Sequence, residues 1–324
     1  PGGALCWGPE LVRGSIVMTS AQIIVLATPI FLALIALEWF VGWRRGRNTY
    51  RVYSARMAED ASERTRLEAA LRKALDRDEI RLVYQPKLSL RSGRITGLEA
   101  LLRWKSAELG HVPPSRFIPL LEATGMIVDV GRWVLHTACA QIQADPLLGG
   151  AGVVLAVNLS GRQFRDEQIV ADVREILATS GLPAQQLELE ITESILIEDS
   201  SAAAMTLDAL KALGVRLAID NFGTGYASLS YLKKFDIDYL KIDQSFTRNL
   251  APGSEDMALC EAIIVMAHKL QLKVIAEGIE TEQQRDLLIA AGCDYGQGYL
   301  FSRPLPAEAC DAFLQGRQEP AAKR

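Results

Sequence analysis

Acidic and amide side chains lie within, or at the end of, several short apolar stretches of the sequence. The stretches are GLEALLRW, VVLAVNLS, LELEITES, VRLAIDNF, YLKID and KVIAEGIE, and their polar residues include Glu99, Asn158, Glu190, Glu193, Asp220, Asn221, Lys241, Asp243 and Glu277. Burying a carboxylate is costly unless it is paired or bound to a metal. One such acid is explained by a structural ion pair, whereas the whole set favours a site that holds a cation.

The clustered donors are oxygen atoms. The three histidines are not at metal-motif spacings, and the five cysteines contain no C-x-x-C pair. A site of Glu, Asp and Asn oxygens selects Mg²⁺ or Mn²⁺ rather than zinc or copper. Two such ions can lower the pKa of a bound water and neutralise a phosphodiester during in-line attack. A site with these ligands can therefore support hydrolysis of a phosphodiester.

Two basic residues fit the same chemistry. Lys241 could hold the attacking water or stabilise charge on the phosphorus oxygens, and the alternative is an exposed lysine at a strand end. Arg103 follows Glu99 by four residues on the same face of a predicted strand and could bind a phosphate through paired donors. The alternative for Arg103 is a salt bridge to one of the acids.

The elements that must position these side chains alternate between strand and helix patterns. Apolar runs of strand length lie at 82–85, 95–104, 153–158, 187–192, 215–220, 239–243, 273–277 and 295–300, with amphipathic stretches between most of them. This alternation predicts an α/β fold, a TIM-like (β/α)8 barrel, in which the carboxyl ends of the strands meet at one mouth. A doubly wound open sheet is the alternative, although the glycine fingerprint of nucleotide-binding sheets is missing.

Composition limits the class of protein. The chain has 324 residues, of which 49% are hydrophobic and 23% charged, as in ordinary globular proteins. Its 35 Lys and Arg against 39 Asp and Glu give a net charge of −4, so a binder of DNA or RNA polymers is not expected. The odd number of scattered cysteines argues against a disulfide framework and favours a reducing compartment.

The start of the chain predicts a membrane anchor. Residues 21–43 are apolar over a length that spans the hydrocarbon layer at about 1.5 Å per residue, although Pro29 and Glu38 interrupt them. Arginines follow at 44, 45, 47 and 51, whereas Arg13 alone precedes the segment, which places the rest in the cytoplasm. We therefore expect a single-pass protein of the inner (cytoplasmic) membrane, with a cleaved signal peptide as the alternative.

These patterns divide the chain into segments. We expect an N-terminal tail (1–20), a transmembrane helix (21–43), a basic juxtamembrane segment with a linker helix (44–77), a catalytic barrel (78–316) and a C-terminal tail (317–324). Leu67, Leu71 and Leu75 lie four residues apart in the linker helix. The helix is therefore either a solvated spacer or a dimerising signal helix.

The same residues carry a family resemblance. Residues 67–315 resemble the EAL-domain family of cyclic di-GMP phosphodiesterases through YQPK (84–87), EALLRW (99–104), FIPLLEATGMI (117–127), VNLSGRQF (157–164), LEITES (189–194), IDNFGTGYASLSYL (219–232), LKIDQSF (240–246), AEGIET (276–281) and GQGYLFSRPLP (296–306). The resemblance implies hydrolysis of cyclic di-GMP to linear pGpG without a covalent intermediate, which lowers the level of a bacterial second messenger. It also implies two Mg²⁺ or Mn²⁺ ions and a homodimer formed through the barrel.

The resemblance also assigns roles to residues of this chain. It makes Glu99, Asn158, Glu190 and Asp220 metal ligands, with Asp220 bridging two ions. Glu277 resembles a further metal-site acid, and Lys241 resembles the residue that positions the nucleophilic water. Glu193 matches an acid that braces the glycine-containing loop. Gln85, Arg103 and Gln297 match contacts to the substrate, and Asp243 supports the site.

One position departs from the family pattern. Two consecutive aspartates usually precede Phe-Gly-Thr-Gly, whereas here the second position is Asn221. The amide keeps an oxygen donor but removes a negative charge, so a second metal should bind more weakly there. The alternative to an enzyme is therefore a receptor for cyclic di-GMP, or a protein-interaction module.

Overall fold

The computed structural model describes residues 55–318 apart from 147, 149–151, 199, 225–231 and 233. The predicted transmembrane segment 21–43 lies outside the described residues. Within the described part of the chain, no helix is both long and apolar enough to cross a membrane. The membrane anchor and the cytoplasmic location stay predictions, as does the homodimer.

The strands form a single closed sheet. They are β1 (Ile80–Ser89), β2 (Ile95–Ser106), β3 (Gly110–Val112), β4 (Val154–Leu159), β5 (Leu187–Thr192), β6 (Arg216–Phe222), β7 (Tyr239–Ile242), β8 (Lys273–Ala276) and β9 (Tyr295–Gly296). Their order is β1-β9-β8-β7-β6-β5-β4-β2-β3, and β1 also pairs with β2. The pairing of β1 with β2 closes an eight-stranded barrel to which β3 is appended, which confirms the predicted TIM-like architecture.

The described part of the chain also contains eleven α-helices. They are α1 (Ala55–Leu71), α2 (Pro114–Thr124), α3 (Ile127–Ala144), α4 (Gly161–Phe164), α5 (Ile169–Ser180), α6 (Glu193–Glu198), α7 (Ser200–Ala212), α8 (Gln244–Arg248), α9 (Glu255–Lys269), α10 (Glu282–Ala290) and α11 (Ala307–Gln318). Apolar residues of strands and helices share one core. Leu67 and Leu71 of α1 are buried in this core and Leu75 packs against it, so these leucines contact the barrel domain.

The first strand runs against its neighbours. β1 pairs antiparallel with β2 and with β9, whereas the remaining barrel pairs, from β2–β4 to β8–β9, are parallel. Residues 90–94 join β1 to β2, and this link is too short for the crossover that a parallel pair requires. The structure therefore differs from a regular (β/α)8 repeat at this strand.

The last strand is shorter than the sequence pattern predicts. Only Tyr295–Gly296 is extended, and the chain turns at the following residues. Gly298 lies so close to Ile279 that a Cβ would be 2.1 Å from the Ile279 carbonyl oxygen. Gln297 and Tyr299, on either side of Gly298, line a cavity together with Glu99 and Glu277.

A buried ion pair crosses the barrel interior. Lys87 Nζ on β1 lies 2.7 Å and 2.8 Å from the two carboxylate oxygens of Glu188 on β5, and these strands are not neighbours in the sheet. Lys87 Nζ also lies 5.0 Å from the centroid of the Tyr239 ring. Gly97 leaves room for the lysine, because a Cβ there would be 2.7 Å from Lys87 Cε. The pair fills the interior below Glu190, which is two residues further along β5.

Replacing Glu188 with glutamine should lower the free energy of unfolding by about 3–5 kcal/mol, because the Lys87 ammonium is left buried without its counter-charge. Chemical denaturation followed by circular dichroism measures the change. The double variant Lys87→Met with Glu188→Leu removes both charges and should be clearly more stable than the single variant. A single variant as stable as the native chain would contradict this account of the barrel interior.

Candidate active site

The side chains of four acids, three on different strands and Glu277 just after β8, converge on the ammonium of Lys241. This lysine, on β7, is fully buried. Its Nζ lies 2.6 Å from Glu190 Oε2, 2.7 Å from Glu277 Oε1, 3.4 Å from Asp220 Oδ1 and 3.6 Å from Glu99 Oε2. The structure therefore brings together the acids that the sequence placed in or at the end of separate apolar stretches.

The strand registers explain this convergence. Asn158 on β4 is paired with Glu190 on β5, so the two side chains lie side by side on the interior face. Lys241 on β7 is paired with Ile275 on β8, and Glu277 follows two residues later on the same face. Parallel neighbours thus bring their polar residues to the carboxyl end of the barrel together.

Amide side chains hold Glu99 in place. Asn158 Nδ2 donates to Glu99 Oε1 at 2.7 Å, and Gln297 Nε2 donates to Glu99 Oε2 at 2.6 Å. Gln297 Nε2 also lies 3.2 Å from Gln85 Oε1, and Gln85 Nε2 donates to the Ser302 carbonyl oxygen at 3.2 Å. The two glutamines that the resemblance assigns to substrate binding are therefore adjacent to the acid that precedes Ala-Leu in the EAL motif.

A cavity opens above these residues. It has a volume of about 240 Å³ and is lined by residues that include Gln85, Glu99, Glu277 and Gln297. A larger hollow of about 640 Å³, lined by Arg216 and other residues, contains none of the predicted site residues. The chemistry therefore identifies the smaller cavity as the candidate active site.

Arg103 lies beside this cavity. It is partly buried, and burial lowers the pKa of its guanidinium, whereas Tyr299 and Glu99 oppose that shift. Its guanidinium donates to the Leu102 carbonyl oxygen at 2.8 Å. Among the described residues it forms no salt bridge within 4 Å, so the structural ion pair considered for this arginine is not formed.

Sequence reasoning did not single out Tyr299, although it lies within a motif that carries the resemblance. The side chain is 51% exposed and lines the cavity. The Arg303 guanidinium carbon lies 4.4 Å from the centroid of its ring, a cation–π contact. The exposure of this ring beside a polar cavity is visible only in the structure, and the sequence offers only its position within the GQGYLFSRPLP motif.

Glu193 contacts the start of the glycine-containing loop. Its Oε2 accepts a hydrogen bond from the backbone N–H of Gly223 at 3.1 Å. Gly223 has a φ of +93°, and a Cβ there would lie 3.1 Å from the Phe246 ring. The turn thus requires glycine. Residues 225–231, which continue this loop, lie outside the described residues.

Asn221 adopts a left-handed backbone conformation with a φ of +55°, which asparagine tolerates better than most residues. Its Nδ2 donates to Asp220 Oδ2 at 3.2 Å. The amide therefore binds the neighbouring carboxylate, where an aspartate would repel it.

Asp243 has a different environment from the acids around Lys241. Its Oδ1 accepts a hydrogen bond from Ser245 N at 2.8 Å and caps α8. The Asp243 side chain therefore fixes the turn that follows β7.

Burial and crowding shift the pKa values of these acids. Burial, reinforced by the Glu99 charge, raises the pKa of Glu190 well above its ordinary value, and burial raises the pKa of Glu277 to about 7 despite the nearby Lys241. Burial acts in the same direction on Glu99, but the Lys241 ammonium and amide hydrogen bonds outweigh it and lower the pKa. Burial lowers the pKa of Lys241, and the surrounding carboxylates more than reverse this. One ammonium thus faces an excess of negative charge.

The donor atoms fit a hard divalent cation. Asp220 Oδ1 is buried and accepts no hydrogen bond from any described residue, although Lys241 Nζ is 3.4 Å away. Carboxylate and amide oxygens are the ligands that Mg²⁺ and Mn²⁺ prefer. In the described part of the chain no three His, Cys, Asp or Glu side chains form a ready metal-binding group. The four acids surround the Lys241 ammonium. What matches a divalent cation is therefore the type of donor atom and the negative charge of the site.

Comparison with known proteins agrees with these observations. The sequence profile described as EAL domain matches residues 68–304. The bifunctional diguanylate cyclase/cyclic di-GMP phosphodiesterase MucR of Pseudomonas aeruginosa is 44% identical over 264 residues, which cover 82% of this chain and 38% of that protein. The cyclic di-GMP phosphodiesterase NbdA of the same organism is 43% identical over 277 residues, covering 86% of this chain and 35% of that protein. The chain therefore spans little more than a third of these relatives.

Solved structures show the same fold. The MucR phosphodiesterase in complex with c-di-GMP is 44% identical, with a TM-score of 0.73, and the match covers 76% of this chain and 99% of that one. The EAL enzyme Bd1971, in a form with cAMP and cyclic-di-GMP bound, is 30% identical with a TM-score of 0.75 over 92% of this chain and 80% of that one. The profile match, the identities and the shared barrel together show that the chain belongs to the EAL domain family.

Proposed function

We propose that this chain is a metal-dependent phosphodiesterase that hydrolyses cyclic di-GMP to linear pGpG. The observation that carries the proposal is the convergence of the Glu99, Glu190, Asp220 and Glu277 carboxylates on Lys241, beside a polar cavity. The relatives MucR and NbdA are cyclic di-GMP phosphodiesterases, which supports the choice of substrate. We propose Mg²⁺ or Mn²⁺, bound as two ions, as the cofactor.

Each group of site residues would have its own role in the reaction. Glu99, Asn158, Glu190 and Asp220 would hold the metal, with Asn221 and Glu277 as further donors, and the bound metal would supply Lewis-acid activation of a water and of the phosphate. Lys241 lies at the centre of the acids and can orient the attacking water through its ammonium. In the metal-free site burial raises the pKa of Glu277 to about 7, and a bound cation would require its ionised form. Gln85, Arg103 and Gln297 lie at or beside the cavity and would bind the substrate.

A second candidate function is a receptor that binds cyclic di-GMP without turnover, or an interaction module. The observation that favours it is the Asn221 amide, which donates to Asp220 and contributes no charge. A divalent ion next to this residue has one carboxylate fewer to bind, and ligand charge is a principal determinant of affinity.

Incubating the purified chain with cyclic di-GMP and Mn²⁺ should yield pGpG, detected by liquid chromatography. Glu99→Gln should reduce turnover by about a hundredfold or more, because it removes a charged oxygen donor at the centre of the site. The matched control is Glu108→Gln, since Glu108 is exposed and forms only a 3.6 Å surface ion pair with Arg77. Binding of the dinucleotide without product at every Mn²⁺ concentration would reject the enzyme in favour of the receptor.

Asn221→Asp should increase the affinity for Mn²⁺, and turnover at low Mn²⁺, on the order of tenfold, because it adds a carboxylate beside Asp220. Calorimetric titration with Mn²⁺ and turnover at graded Mn²⁺ concentrations measure the two effects. Asn221→Ser, which removes the amide without adding charge, is the control and should show no gain. Equal behaviour of the aspartate variant and the native chain would show that the amide does not limit metal binding.

Adding Mn²⁺ to the metal-free protein should raise its melting temperature, with a stabilisation of about 2.7 kcal/mol at a hundredfold excess over the Kd. The effect should be larger at pH 8 than at pH 6. The pKa of Glu277 is raised to about 7, mainly by burial, so the metal-free fold loses stability as the pH rises through that value, whereas the metal requires the ionised carboxylate. Thermal unfolding in EDTA and in Mn²⁺ at both pH values tests this, and a shift that is larger at pH 6 would contradict it.

A further inference from the structure

Gln284, on the first turn of α10, is a buried side chain with an unusually full set of hydrogen bonds. It is 7% exposed. Its Oε1 accepts from Glu280 N at 2.8 Å and from Thr281 N at 2.9 Å, while its backbone N–H donates to Thr281 Oγ1 at 3.2 Å. The bonds of Oε1 and of the backbone N–H form a capping box, which satisfies the free N–H groups at the start of a helix.

The side-chain nitrogen of Gln284, Nε2, is not needed for capping. Gln284 Nε2 donates to the Thr247 carbonyl oxygen at 3.0 Å and to the Arg248 carbonyl oxygen at 3.2 Å. These carbonyls are at the end of α8, which directly follows the strand that carries Lys241. One amide therefore ties the loop after β8 to the segment after β7.

Glu277 lies between the two tied segments. Its backbone N–H donates to the Ile242 carbonyl oxygen at 3.1 Å, and its carbonyl oxygen accepts a hydrogen bond from Thr247 Oγ1. The next residue, Gly278, has a φ of +67°, and a Cβ there would be 2.6 Å from Gln244 Cβ. The backbone of Glu277 is thus held at both of its polar groups by the β7–α8 segment.

We propose that Gln284 is a positioning residue for the active site. By joining the β8–α10 loop to the end of α8, its amide fixes the Glu277 carboxylate 2.7 Å from Lys241 Nζ and so sets how strongly the site binds a divalent cation. Gln284 itself forms no contact with the Lys241 cluster among the described residues. The inference rests on the proposed metal-dependent function.

The substitution Gln284→Glu separates the role of the amide oxygen from the role of the amide nitrogen. A carboxylate keeps the acceptor that caps α10, but it places an oxygen opposite the Thr247 and Arg248 carbonyls. We expect Mn²⁺ binding, measured by calorimetry, to weaken about tenfold or more. We also expect kcat to fall while the KM for the dinucleotide changes little. Gln284→Met removes both the amide oxygen and the amide nitrogen without adding charge, and it should weaken Mn²⁺ binding similarly. It replaces the glutamate variant in this test if that variant does not fold.

Thr281→Ala is the matched control. It removes the hydroxyl cap of α10 but leaves both Nε2 hydrogen bonds of Gln284, so it should lower the melting temperature without changing the affinity for Mn²⁺. Native Mn²⁺ affinity in folded Gln284→Glu and Gln284→Met would overturn the positioning role and leave the proposed function intact. A native chain that does not bind Mn²⁺ would overturn both.

Discussion

The structure depends on a buried imbalance of charge at the carboxyl end of the barrel. Four carboxylates surround the single ammonium of Lys241, in a position where each would be costly if it stood alone. The lysine provides the common counter-charge, and the amides of Asn158 and Gln297 satisfy Glu99. Because the negative charge exceeds the positive, the site is suited to attract a further cation.

The barrel interior uses buried charge in two ways. Near the amino end of β5, Lys87 and Glu188 form a pair with equal and opposite charges. Two residues along the same strand, Glu190 belongs to the unequal cluster around Lys241. The Lys87–Glu188 pair has no net charge and can only stabilise the arrangement of the interior. The cluster around Lys241 has more carboxylates than ammonium groups, so it can also bind a ligand.

Support for the cluster comes from residues outside it. Glu193 holds the turn at Gly223, Asp243 caps α8, and Gln284 joins the ends of two loops. Each uses a side chain to bind backbone groups close to a charged residue. These hydrogen bonds hold the backbone around the cluster in a fixed position, which is the usual requirement for a precise binding site.

The sequence by itself determined the positions of the strands and of most polar residues at the site, because alternation and apolar runs are local signals. Glu99, Asn158, Glu190 and Asp220 could be grouped in advance since the ends of parallel barrel strands meet at one mouth.

Only the tertiary structure decided that β1 runs antiparallel, that Lys241 is the common partner of the acids, and that Lys87 meets Glu188. It also decided the role of Gln284, whose hydrogen-bond acceptors, the carbonyls of Thr247 and Arg248, belong to α8. Such contacts join residues far apart in the chain, and no local pattern records which of them the closure of the barrel brings together.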